Sequence, residues 1–328
     1  MQPPKFPPAP QKTRLWTRTP PALFTPVFGL FGLAVAWRRA GDAFSVGDGV
    51  SDLLFGAVTL LYLFLLVAYF AKVVRRPATY VEDAKILPGR GGLAAMSLSG
   101  MLMALGLIHW SQALAATVLA IAVIMHAVLF VTVVYLIATG PREAKSVTPI
   151  WHLTFVGFII SPIAGMPLGW TTWSLVVFWA SLAIAAFVWG ASAAQYARQR
   201  VPAPLRPLLA IHLAPAAVLG TVALLLGYQT LALVLGLVST LIFAALILRP
   251  FWMAESGFSP LWGAFTFPLA AFASLMMLLG SAGYSEVFRY IGGAALVAAT
   301  LAIPVIMWKV NQLWAKGMLA VKTNASQV

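Results

Sequence analysis

The sequence predicts an all-α integral membrane protein, and three features lead there. Over 328 residues the chain is 61% hydrophobic and only 9% charged, far from the make-up of a water-soluble domain. Its charges are gathered into short segments, which leaves uncharged tracts at 91–141, 146–197 and, apart from Arg249, 207–250. A bilayer core takes roughly 20 apolar residues to cross as a helix, so each tract holds two crossings and a reversal.

Turn residues and charges divide the chain into ten expected spans. The first, 21–37, follows Pro20 and stops at Arg38 and Arg39; the second, 53–71, lies between Asp52 and Lys72. The third, 92–109, and the fourth, 113–138, are separated near Trp110 because their shared tract is too long for one crossing. The fifth, 150–166, follows Pro149, and the sixth, 172–194, follows Gly169 and Trp170. The seventh, 208–226, and the eighth, 231–248, divide at Tyr228. The ninth, 261–279, follows Pro260, and the tenth, 291–308, runs between Arg289 and Lys309.

The chain thus divides into an N-terminal tail, 1–19, a ten-helix domain, 20–310, and a C-terminal tail, 311–328. The first tail carries prolines and basic residues but no apolar run of its own, unlike a cleavable signal peptide. Placed in the cytoplasm, it puts all but Arg38, Arg39 and Arg289 of the 21 Lys and Arg residues on that side. This positive-inside bias predicts cytoplasmic N- and C-termini and accounts for the net charge of +13 without a nucleic-acid partner. Trp16, Trp37, Trp110, Trp151, Trp170, Trp252, Trp262 and Trp308 fall near span ends, where an amphipathic ring suits the headgroup boundary. Loops are short, the longest being 72–90, so function is expected between the helices rather than in a soluble catalytic domain. The chain has no cysteine, which excludes thiolate chemistry and cysteine-ligated metals, and no His spacing of a metal site is present.

Helix-disrupting residues are concentrated in odd spans: Pro26, Gly29 and Gly32; Gly100 and Gly106; Gly157, Pro162 and Gly165; Pro215 and Gly220; Pro268. Even spans are smoother, although Pro304 breaks the pattern. A proline frees a carbonyl that lipid cannot satisfy, so the alternation suggests five helical hairpins, each with a kinked inner and a straight outer helix around a central pore. Glycine and proline also mark ordinary packing contacts in membrane helices, and the pattern alone leaves both readings open.

No Asp, Glu, Lys or Arg is expected near the middle of a span, which argues against a pump or a carboxylate-lined cation path. A path without fixed carboxylates permits anions instead, whose local concentration the cytoplasmic Arg75, Arg76, Arg142 and Arg206 would raise. His152 and His212, near the cytoplasmic ends of inner helices, are candidates for touching permeant ions or sensing pH, and equally for simple packing. Hydroxyls of odd spans, among them Thr25, Ser97, Ser99 and Thr266, offer weak donors to an anion or bonds to their own helix carbonyls. Phe265 and Phe267 flank Thr266 beside Pro268, where an aromatic ring either blocks a lumen or packs in the core.

Four fragments carry a family resemblance: TPVFGLFGLAVAWRRA (25–40), TPIWHLTFVG (148–157), LRPLLAIHLAPAAV (205–218) and LWGAFTFPLAAFA (261–273). With the ten spans and the odd-helix bias, the chain resembles the tellurite-resistance/dicarboxylate transporter family, which includes bacterial TehA-type proteins and plant slow anion channels. The resemblance implies a homotrimer in a bacterial inner membrane, each protomer with its own anion pore, and no cofactor. It implies that Phe267 is the pore-occluding ring, set by Pro268, and that Phe28, Gly29, Gly32, Gly157, Pro215, Phe265 and Thr266 line or shape the passage. The short ends and compact loops look more like the bacterial branch than the plant one. The function expected is a passive, weakly selective channel for small inorganic or organic anions; the alternative is a secondary carrier for a dicarboxylate, monocarboxylate, tellurite or sulfite, with or without protons. An enzyme is not expected, because no paired polar groups for intramembrane catalysis are evident.

Overall fold

The computed structural model describes residues 16–141 and 145–328. Among them there is no strand, and nine helices are long and apolar enough to cross a membrane. The first is α1 (Phe24–Phe44), preceded by a 3-10 turn, Pro21–Leu23. It is followed by α2 (Gly49–Arg75), the short α3 (Ala78–Lys85), α4 (Leu87–Leu107) and α5 (Gln112–Thr139). Then come α6 (Ser161–Gly165), α7 (Thr171–Tyr196), and α8 (Leu213–Leu225) behind a 3-10 segment, Ala203–His212. The remainder is α9 (Gln229–Ile247), α10 (Pro250–Met253), α11 (Thr266–Ser281) behind the 3-10 segment Pro260–Phe265, α12 (Glu286–Ala315) and α13 (Met318–Lys322).

The fifth expected span, 150–166, departs from the sequence reading. It is a shorter apolar helix, His152–Gly165, built from a π turn (His152–Val156), a 3-10 turn (Gly157–Ile160) and α6. This element packs closely against α5. The ring of His126 is fully buried against this element, edge-on to Phe158 at 4.6 Å, with its Nδ1 2.8 Å from Ser97 Oγ. A Cβ on residue 157 would lie 2.8 Å from His126 Nε2 and 3.0 Å from Leu98 Cδ2, so only glycine admits the ring there. Gly157→Ala is therefore expected to cost about 1–3 kcal/mol as overpacking, and less than that in a His126→Ala background. Thermal unfolding of the single and double variants in detergent checks the coupling; strictly additive losses would contradict the contact.

Burial separates the helices into two sets. In the most apolar stretch of each, 83% of residues are buried for Pro21–Phe44 and Leu87–Leu107, and 78% for Ala203–Leu225 and Pro260–Ser281. The share falls to 33% for α2, 28% for α5, 33% for α7, 22% for α9 and 39% for α12. The second set hides one stripe and offers the rest outward, as a helix between protein and lipid must. The buried elements also touch in a closed cycle: α1 meets α4, α4 meets the His152–Gly165 element, that element meets α8, α8 meets α11, and α11 meets α1. Each packs as well against the long helix that follows it.

The odd-helix prolines sit at junctions, not in mid-helix. Pro26, Pro162, Pro215 and Pro268 each fall in the first turn of an α-helix, directly after a 3-10 segment. There the backbone N–H has no intrahelical acceptor to lose, and the fixed φ of proline suits the start of the helix. At these points the backbone changes from 3-10 to α; the prolines inside helical elements are Pro207, in the 3-10 segment before α8, and Pro304, in α12.

A buried ion pair fastens the end of the bundle where the N-terminal segment enters. Lys72 Nζ lies 2.8 Å from Asp83 Oδ2, both side chains fully buried, and also donates to Thr19 O at 3.2 Å. Tyr69 donates its hydroxyl to the same carboxylate at 3.1 Å. Ser326 completes the set, its backbone N–H and its Oγ each 2.9 Å from Asp83 Oδ1. Residues 16–19 of the expected N-terminal tail meet the expected C-terminal tail here: α12 runs on to Ala315, the chain continues through α13, and the N–H of Val328 donates to Thr17 O at 3.3 Å.

Candidate functional site

Two aromatic rings from neighbouring members of the buried cycle lie face to face. Phe28 of α1 and Phe267 of α11 stack with centroids 3.7 Å apart and planes 18° from parallel. Small residues make the approach possible. A Cβ on Gly32 would come within 2.8 Å of the Phe267 ring, and one on Gly29 would collide with Thr266. Thr266 is itself held by its hydroxyl on Gly263 O at 2.7 Å and Thr25 O at 3.3 Å, which fixes the start of α11 and the ring that follows.

Two cavities border the stacked pair, and both are lined by Phe28, Leu153, Ile211, Ala214 and Phe267. The first, about 40 Å³, is bounded by the N-terminal ends of the buried elements, including Ala22, Thr25, Pro88, Ile150, Leu208 and Pro268. The second, about 30 Å³, reaches Leu98, His152, Gly157, Pro215 and Val218. Each exceeds the roughly 10–15 Å³ that one water needs, and all five buried elements contribute to the first. No Asp, Glu, Lys or Arg lines either cavity; Thr25 and His152 are the side chains there with strong hydrogen-bonding groups.

The structure brings together Phe28, Phe267, Pro268, Gly157 and Pro215 as lining, with Gly29, Gly32 and Thr266 packed behind the rings. Phe265 does not join them: half-buried, it lies edge-on to Trp262 at 5.7 Å and borders neither cavity. Of the basic residues expected to concentrate anions, Arg75, Arg76 and Arg206 border neither cavity. Arg76 pairs with Glu82 and donates to Gln327 O at 2.6 Å, while Arg206 pairs with Glu255 and covers the Trp252 ring at 4.4 Å. Arg75 closes α2 away from both cavities, and Arg142 lies outside the described residues.

The expected odd-span hydroxyls mostly serve their own helices. Thr25 bonds to Ala22 O at 2.9 Å, Ser99 to Ala95 O at 2.7 Å and Thr221 to Ala217 O at 3.0 Å. Such bonds three or four residues back leave little donor capacity for a passing ion. His152 and His212 come together, Nε2 to Nδ1 at 3.0 Å, although 60 residues separate them in sequence. Sequence reasoning missed Leu153, Ile211 and Ala214, which border both cavities. An aliphatic side chain facing a lumen is written like one facing a core, so no signal marked them.

The comparisons with known proteins agree with this geometry at the level of family. No curated protein sequence shows a significant match. A family model described as SLAC1, voltage-dependent anion channel, matches residues 18–310, from the segment before α1 to within α12. With its nine long apolar helices, the chain is an integral membrane protein that belongs to the SLAC1 family, whose work is anion transport across a membrane.

Proposed function

We propose that this protein is a passive, weakly selective channel for small anions, held shut at rest by the Phe267 ring against Phe28. The observation that carries the reading is the pair of cavities meeting at that stack, lined without a fixed charge. An anion leaving water needs some compensation, and a pore that binds weakly lets it leave again. Carboxylates would repel it and several fixed cations would trap it; neither is present on the lining. The five buried elements form the inner ring of the conduction path, and α2, α5, α7, α9 and α12 form the outer ring, as five hairpins. The charge bias supports termini in the cytoplasm of a bacterial cell, and the family resemblance supports three copies side by side, each with its own path.

A carrier coupled to protons predicts different currents. In planar bilayers with equal pH on both sides, the channel reading expects current linear in voltage that reverses at the potential set by the chloride or nitrate gradient. Saturating flux that vanishes without a proton gradient, or reversal at the cation potential, overturns it. Native mass spectrometry of the detergent-solubilised protein tests the trimer, with a sole monomer peak as the contrary result.

A further inference from the structure

His152 is the only ionisable side chain on the lining of the two cavities. It is 97% hidden from solvent at 3% relative exposure, begins the π turn, and its Nδ1 has no hydrogen-bond partner. π turns in membrane and soluble helices are frequent at functional positions, and an orphaned buried ring nitrogen costs free energy unless something uses it. On its other side the ring joins a chain of polar groups. His152 Nε2 is 3.0 Å from His212 Nδ1, and His212 Nε2 is 3.4 Å from the hydroxyl of the exposed Tyr196. The backbone carbonyl of His212 accepts from Trp189 Nε1 at 3.2 Å, and the Trp189 ring lies 5.6 Å from that of His152, which holds the pair in place. His212 and Tyr196 both line a groove of about 540 Å³ on the outside of the bundle, separate from the pore cavities.

We propose that His152 is an anion-binding group inside the pore and that its proton arrives from this groove through Tyr196 and His212. The inference rests on the channel reading and adds to it a site and a control. In the resting pair His212 Nδ1–H donates to His152 Nε2, and His212 Nε2 accepts from Tyr196. Hydronium in the groove gives a proton to the Tyr196 oxygen as Tyr196 passes its own to His212 Nε2. His212 releases its Nδ1 proton to His152 Nε2. The sum is one proton taken from water, two neutral groups restored at Tyr196 and His212, and an imidazolium at His152 with N–H on both nitrogens. Its positive charge and its Nδ1–H then offer a monovalent anion a charge-assisted partner in an otherwise apolar passage.

Other charges nearby do not compete. On the elements packed against the pair, α4 carries Arg90, donating to Ala84 O at 3.0 Å, and α5 carries His126, bound to Ser97, and the exposed Tyr135. The segment of His212 carries Arg206, paired with Glu255, and Arg249 borders the groove. No carboxylate lines the groove or the cavities, so nothing there would claim the imidazolium in place of an anion.

Two measurements decide it. In wild-type protein labelled with ¹⁵N-histidine, ring resonances assigned with His152→Asn and His212→Asn are followed between about pH 8 and pH 5 with and without nitrate. The His152 nitrogens are expected to gain a second N–H on acidification and to shift with nitrate concentration; a ring that ignores nitrate throughout overturns the site. In the Phe267→Ala background, acidifying the face that carries Tyr196 is expected to raise nitrate flux about threefold or more, and the opposite face to leave it unchanged. Tyr196→Phe should abolish that sidedness, and an equal response from both faces overturns the route. Should Phe267→Ala carry no current at all, the channel reading fails, and the nitrate titration still decides the site.

Discussion

Replacing Phe267 with alanine is expected to raise resting anion conductance about tenfold or more, with the protein still reaching the membrane. The ring stacks on Phe28 at 3.7 Å and borders both cavities, so on the proposed channel reading its removal joins them into one passage. Taking a phenylalanine out of a dry core costs about 3–5 kcal/mol because a void is left behind. On the channel reading the space opens onto a lumen, so the stability loss should fall below that range while current rises. Phe28 remains as a second ring bordering both cavities, and Phe28→Ala combined with Phe267→Ala should conduct more than either alone. Macroscopic currents normalised to the amount of membrane protein check this. A variant that loses stability like a core mutant and conducts like wild type would return Phe267 to the role of packing.

The second large effect belongs to Asp83. Its carboxylate accepts from Lys72 Nζ, the Tyr69 hydroxyl, and the N–H and Oγ of Ser326, with no solvent contact. Asp83→Ala strands the Lys72 ammonium in that setting, and breaking a buried pair by removing one partner costs about 3–5 kcal/mol. The loss should appear as a sharp fall in the midpoint of thermal unfolding in detergent and in the yield of folded protein. Replacing both partners with apolar residues, Lys72→Met with Asp83→Leu, should recover most of it, since the desolvation cost of two ions then disappears. A double variant as unstable as Asp83→Ala would show that the bonds to Tyr69 and Ser326, and not the stranded charge, set the cost.

The spans could be read from sequence because lipid enforces a rule that every backbone polar group be satisfied inside the segment, which makes long apolar tracts into helices. The same rule exposed the two classes of span: glycine- and proline-bearing tracts such as 21–37 and 261–279 are the buried ones, and the smooth tracts bury one stripe. The fifth span was placed at 150–166, where the apolar helix His152–Gly165 lies; what escaped were its π and 3-10 turns, which pack against His126, a ring contributed by a different helix. The contact of the C-terminal residues with Asp83 escaped for a similar reason. Asp83 sits in a charged loop by sequence, and its burial depends on Ser326, 243 residues away. At the site, Phe267 stood out through the FTFP fragment and Phe28 was named with it by the resemblance, while their stacking needed the close contact of α1 and α11 that Gly29 and Gly32 allow. The pairing of His152 with His212 is a contact between two elements that no spacing within either one encodes.

Because the chain has no cysteine, Phe267→Cys creates a single thiol at the proposed constriction. If residue 267 lies in the conduction path, this variant conducts more than wild type. A small anionic methanethiosulfonate added from either side then reduces the current, because it plants a fixed negative charge where the anions pass. A thiol that stays unmodified, or whose modification leaves the current unchanged, would place residue 267 outside the path and contradict the account.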